Sequence, residues 1–265
     1  MSTPNQWAIR DVATATFYEI KTGKARVQLT NLKSSGIENS GTVAYARGGS
    51  GNPKVVGFSG DRGAKIALQD CIFTNEVLAM MTGNEIKKGT VPVHQREVLK
   101  VAGDKITLTH TPAIADTLIS VYKAEPDGTH GLEFTKAAAA SPQASEYKVS
   151  AKVVTFKAGE LTEGSEVIVY YQTKTDANSK TITVSTDKFA GTYKLVLDVL
   201  VRDVFTKEDF AAQIVAGAAK LEDGWKIEAK PDGDPSVFDI PIELLKPANS
   251  KEMYTMTIYD ESALT

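Results

Sequence analysis

The chain has a single cysteine, Cys71, and only three histidines among 265 residues. A lone thiol cannot close an internal disulfide, so the fold does not depend on an oxidising compartment. Cys71 lies in the apolar run Ile66–Phe73 and is expected as a small buried hydrophobe. Met1–Trp7 has no basic stretch followed by an apolar one, so no secretory signal is expected. No run approaches the ~18 uninterrupted apolar residues of a membrane-spanning helix, and no Asn-x-Ser/Thr sequon occurs. The expectation is a chain that folds in a cytoplasm and makes no membrane contact. Positive charge is not in excess either: 30 Lys and Arg stand against 33 Asp and Glu, a formal net charge of −3 and a pI near 5.7. That argues against a surface that grips nucleic acid by neutralising phosphates, which needs a basic patch.

Catalytic patterns are equally thin. Gly48-Gly49-Ser50-Gly51-Asn52-Pro53-Lys54 has the glycines of a phosphate loop but lacks the Gly-Lys-Ser/Thr end, and Pro53 removes a backbone donor. Gly57-Phe58-Ser59-Gly60 misses the residue that a nucleophile elbow needs between serine and the second glycine. Ser-x-x-Lys occurs at Ser120, Ser145 and Ser185, but the Lys21-Thr22-Gly23 triplet stands on the wrong side of all of them. Asp232, Asp234, Ser236 and Glu243 match calcium-loop positions, yet Val237 stands where the sharp turn needs glycine. His94, His110 and His130 are far apart and none has a second ligand at metal spacing. The sequence therefore implies no enzyme, no metal and no cofactor.

What is present is β-structure with a change of texture in the middle. At this length two domains are expected. Thr14–Ile20 and Arg26–Leu32 alternate around a glycine-containing turn and read as a hairpin. Val43–Arg47 and Lys54–Phe58 flank the Gly48–Pro53 loop, Ser59–Gly63 reads as a second turn, and Ala64–Phe73 as a strand. Thr74 is placed to cap a short helix over Asn75–Met81 that stops at Gly83. Short strands then follow at Lys105–Thr109, Leu118–Tyr122, Tyr147–Ser150, Lys152–Phe156 and Glu166–Tyr171, with turn signals about every ten residues. Residues 98–175 are therefore expected as an inserted small β-sandwich of immunoglobulin-like type, and residues 1–97 with 176–265 as a discontinuous core. No aromatic cluster in this stretch argues for a sugar platform, and Tyr122, Tyr170 and Tyr171 fit strand packing equally well.

The first texture returns with strands at Thr181–Ser185, Tyr193–Val201, Trp225–Ala229, Val237–Leu244 and Met253–Tyr259. Pro241 is expected at an edge or a bulge. Asp209–Leu221 fits both a helical face and a strand alternation, and the pattern alone leaves both open.

Three stretches carry a resemblance: Trp7–Ala13 with the following TFYEIKTGKARVQLTNLKSSGIE, Tyr45–Gly83, and Pro231–Pro247 with MYTMTIYDE after it. Together they resemble the tail tube (major tail) proteins of long-tailed bacteriophages. The resemblance implies a mainly β fold, with a tail-tube-like sandwich or barrel core flanked by a short helix. It implies subunits that close into hexameric rings, rings that stack into a hollow virion tail, and a lumen through which DNA passes without being held.

It also implies hairpins paired edge to edge between copies. Tyr45, Arg47, Lys54, Val56, Phe58, Lys65, Gln69 and Asp70 are the candidates for that contact. Gly48, Gly49, Gly51, Asn52 and Pro53, together with the N-terminal arm Ser2–Arg10, are the candidates for contact between rings. Partners would be further copies of the chain and other tail proteins such as sheath, terminator or baseplate components. A capsid decoration protein is the alternative, since it shares this composition but needs no closed ring of hairpins.

Overall fold

The computed structural model describes residues 3–227 and 237–264. Contacts divide the chain into an outer unit, Met1–Ile86 with Ile182–Thr265, and an inner unit, Lys87–Thr181. Both are mainly β. The first segment of the outer unit forms β1 (Trp7–Ile9), β2 (Thr14–Tyr18), β3 (Ala25–Leu29), β4 (Leu32–Arg47), β5 (Lys54–Asp70) and α1 (Asn75–Thr82). The inner unit contributes β6 (Lys87–Lys88), β7 (Pro92–Lys100), β8 (Lys105–Thr107), β9 (Ser120–Ala124) and β10 (His130–Lys136). It continues with β11 (Glu146–Ser150), β12 (Val153–Phe156), β13 (Glu166–Lys174) and β14 (Lys180–Thr181). The chain then returns to the outer unit with β15 (Thr192–Asp203), β16 (Asp209–Leu221), β17 (Phe238–Leu244) and β18 (Tyr254–Tyr259).

Among the described residues the outer unit is one antiparallel sheet in the order β3-β2-β15-β16-β17-β5-β4. The strand β1 adds to β15 beyond β2, and β18 adds to β16 beyond β17. Its concave side holds Phe17, Ile66, Leu68, Leu195, Leu197, Ile240 and Ile242, all nearly inaccessible to solvent. The helix closes this core from above with Val77, Leu78, Met80 and Met81. Its ends follow the sequence: the Thr74 hydroxyl accepts from Val77 N at 3.3 Å, and Gly83 stops the helix at φ 67°. A Cβ on Gly83 would stand 2.2 Å from the Phe189 carbonyl oxygen, so only glycine fits.

The ambiguous segment Asp209–Leu221 is a strand along its whole length. Tyr193 pairs with Ala219 and Leu195 with Ala216, so Gly217 and Ala218 form a bulge, which explains why the alternation blurs there. Gly217 lies against Pro247, where a Cβ would be 2.9 Å from the ring.

Several other expectations need correction. Ser59–Gly63 is not a turn but the middle of β5, and the Ser- and Gly-rich Lys33–Thr42 is its partner strand. Cys71 is exposed, with Sγ 3.2 Å from the Asn31 carbonyl, because the strand has ended at Asp70. The Pro241 strand is interior, between β16 and β5; its carbonyl accepts from Glu222 N at 3.0 Å, where the β16 ladder has run out. The missing N–H therefore costs no ladder bond. Of Thr181–Ser185 only Thr181 is in a strand. Trp225, Lys226 and Ile227 are not in a strand, and Glu228 and Ala229 lie outside the described residues, as do Asp232, Asp234 and Ser236 of the calcium-loop pattern.

The inner unit begins at Lys87 because β7 pairs with β13 over its full length, Pro92 with Lys174 through to Lys100 with Glu166. Its strands run in the order β7-β13-β9-β10-β11-β12-β8 around a separate core containing Val121, Phe134, Tyr147, Phe156, Val169 and Tyr171. Phe134 and Phe156 meet edge to face at 4.9 Å. The buried Tyr171 hydroxyl donates to Glu97 and accepts from His110 N at 3.1 Å. Burial, with that bond to Glu97, pushes its pKa up to about 12.

Candidate functional site

The strands β4 and β5 form one hairpin of 16 and 17 residues, much longer than the mean strand. Its root belongs to the sheet: Ala64, Ile66 and Leu68 are buried and alternate with exposed Lys65 and Ala67, and β5 is paired on its other side by β17 from Lys65 to Asp70. Beyond the root everything changes. Every residue from 38 to 62 is exposed, and among the described residues no other strand flanks the ladder there. This projecting arm ends in the glycine loop, where Gly49 and Gly51 at φ 85° and 82° and Asn52 at φ 51° turn the chain.

Opposed residues of an antiparallel pair share a face. In the root, the pairs Ser35–Leu68, Ile37–Ile66 and Asn39–Ala64 face the core, while Glu38–Lys65 and Ser34–Gln69 face outward. Ser40 then opposes Gly63 and Thr42 opposes Gly60, so β5 carries one extra residue in a bulge at Asp61–Arg62, with Asp61 at φ 46°. The Thr42 hydroxyl donates to the Asp61 carboxylate at 2.7 Å and ties the bulge together. Through it, the core-side face continues along the arm as Val43, Tyr45, Gly57 and Ser59, and a second bulge follows, where Ala46 opposes Val56, Arg47 opposes Lys54 and Val55 is the extra residue. The outward face continues as Thr42, Ala44, Ala46, Val56 and Phe58. The Val43 and Tyr45 side chains overhang Gly57, where a Cβ would be 3.2 Å from each.

Both faces are apolar and uncovered: Val55 is 65% exposed, Phe58 63%, and Val56, Val43 and Tyr45 nearly half. Patches of this kind on both sides of a two-stranded ribbon mark an interaction surface. An isolated hairpin of this kind is only marginally stable in water.

The sequence candidates divide along this hairpin. Tyr45, Arg47, Lys54, Val56 and Phe58 are on the free arm, and Lys54 Nζ stands 3.9 Å over the Tyr45 ring. Gly48, Gly49, Gly51, Asn52 and Pro53 are its tip. The other three are engaged at the root. Lys65 bridges Glu243 and Glu222 at 3.0 and 3.1 Å, which raises its pKa, the bond to Glu243 contributing most. Gln69 bonds Ser34 and Asp239. Asp70 is buried and accepts from Ile72 N at 2.9 Å, closing the end of β5. Val43 and Val55, missing from the sequence candidates, are as open as those on the arm; the alternation of β4 with β5 is the signal that would have found Val43.

The N-terminal arm is already in place. Trp7–Ile9 pairs with Val201–Asp203, and Arg10 and Arg202 both bind the Asp209 carboxylate. The Arg202 bonds, with the charge of Arg10, hold Asp209 below the usual carboxylate range. Between this strand and the open edge of β4 at Lys33–Asn39 runs a groove of about 630 Å³. Trp7, Ile9, Val199, Ile214, Tyr254 and Met256 line it. Two bonds bridge it: Ala13 N donates to Ser35 Oγ at 3.1 Å, and Asn39 to the Tyr254 hydroxyl at 2.9 Å.

On the inner unit, Tyr122 and His130 stack at 4.4 Å, and His130 Nε2 lies 2.9 Å from the Tyr170 hydroxyl, which also accepts from Arg96. These rings do cluster on the open face of β9, β10 and β13, whereas Tyr171 points into the core. Among the described residues no group of three or more His, Cys, Asp or Glu side chains is gathered as a metal site. Nor is any helix among them long and apolar enough to cross a membrane.

No curated protein matches this chain. The YomU/Tube protein family does, over residues 7–258, from β1 to β18 and through the inner unit. The chain belongs to that family and is a phage-related tube protein.

Proposed function

From that membership we propose that the chain is the repeating subunit of the tail tube of a long-tailed bacteriophage. Copies close into hexameric rings, the rings stack into a hollow tail, and the genome passes through it during ejection. The observation that carries this reading is the projecting arm, uncovered on both faces and at both edges. Such an edge is a ready template for another strand. The free edge of β5 over Lys54–Arg62 on one copy and that of β4 on the next are antiparallel complements. A ring of such pairings leaves no free edge. On the arm, Tyr45, Arg47, Lys54, Val56 and Phe58 would then meet the neighbouring copy.

The outward face of the hairpin root suits a channel for DNA. It presents Ser34, Glu38, Lys65 and Gln69, and on β17 Asp239 and Glu243, with the one lysine already engaged by two carboxylates. A wall whose lysine is already held by two carboxylates does little to trap a phosphate backbone. The glycine tip of the arm is the contact between rings, and sheath, terminator or baseplate proteins are further partners in the virion. The inner unit, with its own core and its chain ends paired through β6 and β14, is an inserted immunoglobulin-like domain carried on the tube. Negative-stain electron microscopy of the purified protein, with its mass in solution, tests the reading. Six-fold rings or hollow tubes are expected. Dimers or trimers that never form rings would overturn it in favour of a decoration protein.

A further inference from the structure

We infer that the groove beside β4 is the seat for the arm of the neighbouring copy, taking its Val43 and Tyr45 side chains. This rests on the tube reading and adds the place where the arm packs. Three observations lead to it. The groove is bordered on one side by the β4 edge at Lys33–Asn39, which pairs with no strand but β5 among the described residues and continues into the arm. Its floor is apolar and incompletely covered, with Ile9 64%, Met256 38% and Trp7 36% exposed. The groove also opens on the core side of β4, where Ser35, Ile37 and Asn39 line it.

A strand that adds to an edge extends the sheet, and its faces continue those of the strand it joins. In a ring of identical copies the core-side face stays on one side all the way round. The bulge at Asp61–Arg62 assigns Val43 and Tyr45 to that face and Ala46, Val56 and Phe58 to the other. An arm laid along the β4 edge of its neighbour therefore turns Val43 and Tyr45 toward the groove and Phe58 away from it. The arm cannot reach its own groove this way, because its β4 is continuous with the edge that must be covered. A second copy is the occupant the geometry allows.

Disulfide trapping in assembled rings tests this, in full-length protein with Cys71→Ser. Y45C combined with M256C should give a ladder of covalent oligomers on a non-reducing gel, and so should V43C with I9C. A46C with M256C, which presents the opposite face, should run as monomer. Rings that form but yield no ladder from either core-side pair, or an equal ladder from A46C, would overturn the seat while leaving the tube reading intact. If the C71S parent forms no rings under any condition, the tube reading falls and the seat falls with it.

Discussion

The root and the arm of the β4–β5 hairpin belong to one continuous ladder, yet one is half inside the protein and the other wholly outside. In the root, Ile66 and Leu68 sit on the core with Leu197, Ile242 and Met80 in the same cluster. In the arm, Val55 and Phe58 are no less apolar and touch water. Hydrogen bonding between the strands is the same kind in both halves, so what separates them is the presence of a packing layer. The hydrophobic term responds to area removed from water and not to strand pairing. The arm is thus complete in secondary structure and, among the described residues, has no packing layer; in the proposed assembly a neighbouring copy supplies it.

The largest expected effect isolates the arm. Replacing residues 42–60 with a two-residue turn should abolish rings and tubes in electron micrographs while leaving the thermal transition of the monomer in place. Loss of folding in that variant would mean that the arm is part of the core, and the contrast would collapse. Next comes a matched pair of truncations read by urea unfolding of the unassembled protein. Leu68→Ala should cost about 2–5 kcal/mol, because Leu68 is 1% exposed. Phe58→Ala should change stability by no more than about 0.5 kcal/mol and should show its effect only in assembly.

The comparison extends to the inner unit, which has a closed core and no projecting hairpin. Tyr171→Phe removes the hydroxyl shared by Glu97 and His110 N and should cost about 1–3 kcal/mol. The loss should fall in the unfolding of residues 87–181 alone, as followed by hydrogen exchange. Because the folded pKa of Tyr171 is raised to about 12, its contribution is complete below the ordinary tyrosine value of about 10. It is lost as the pH climbs from there toward 12.

The smallest effect concerns the N-terminal strand, which is pinned where the arm is free. Asp209→Asn should lower the melting temperature slightly at pH 7. Asp209 is depressed in the folded state, so its contribution is present above about pH 4 and disappears as the pH falls through the folded value. The gap between variant and parent should close in acid; a gap that is independent of pH would mean that the ion pair is not what holds β1.

Much of this architecture is legible in the residues. The helix, its Thr74 cap and its Gly83 stop follow from local chemistry, as does the β2–β3 hairpin. The length of β4 is not legible, because Ser34, Ser35, Gly36, Asn39, Ser40 and Gly41 have the composition of a loop. Those small residues suit an outer strand with little to bury. Gly60-Asp61-Arg62-Gly63 reads as a turn for a related reason, since a bulge uses the same residues and the same positive φ as a turn. The groove escapes the sequence altogether: Ile9, Ser35, Ile214 and Met256 come from four separate strands or their edges, and only the sheet order joins them. The Tyr122–His130–Tyr170 cluster is hidden likewise, since a strand alternation says which residues share a face but not which strands are neighbours.

The short pairing of β6 with β14 has a practical consequence. Lys87 opposes Thr181 and Lys88 opposes Lys180, so the chain leaves the outer unit and returns to it at two points one strand spacing apart, roughly 5 Å. To the outer unit, the whole inner unit is topologically a stitch. Ile86 and Ile182 could be joined by a short turn, or by any foreign domain whose ends lie close together, without lengthening a single strand of the large sheet. In a tube built as proposed above, that insertion point would be a place to mount cargo at the repeat spacing of the assembly.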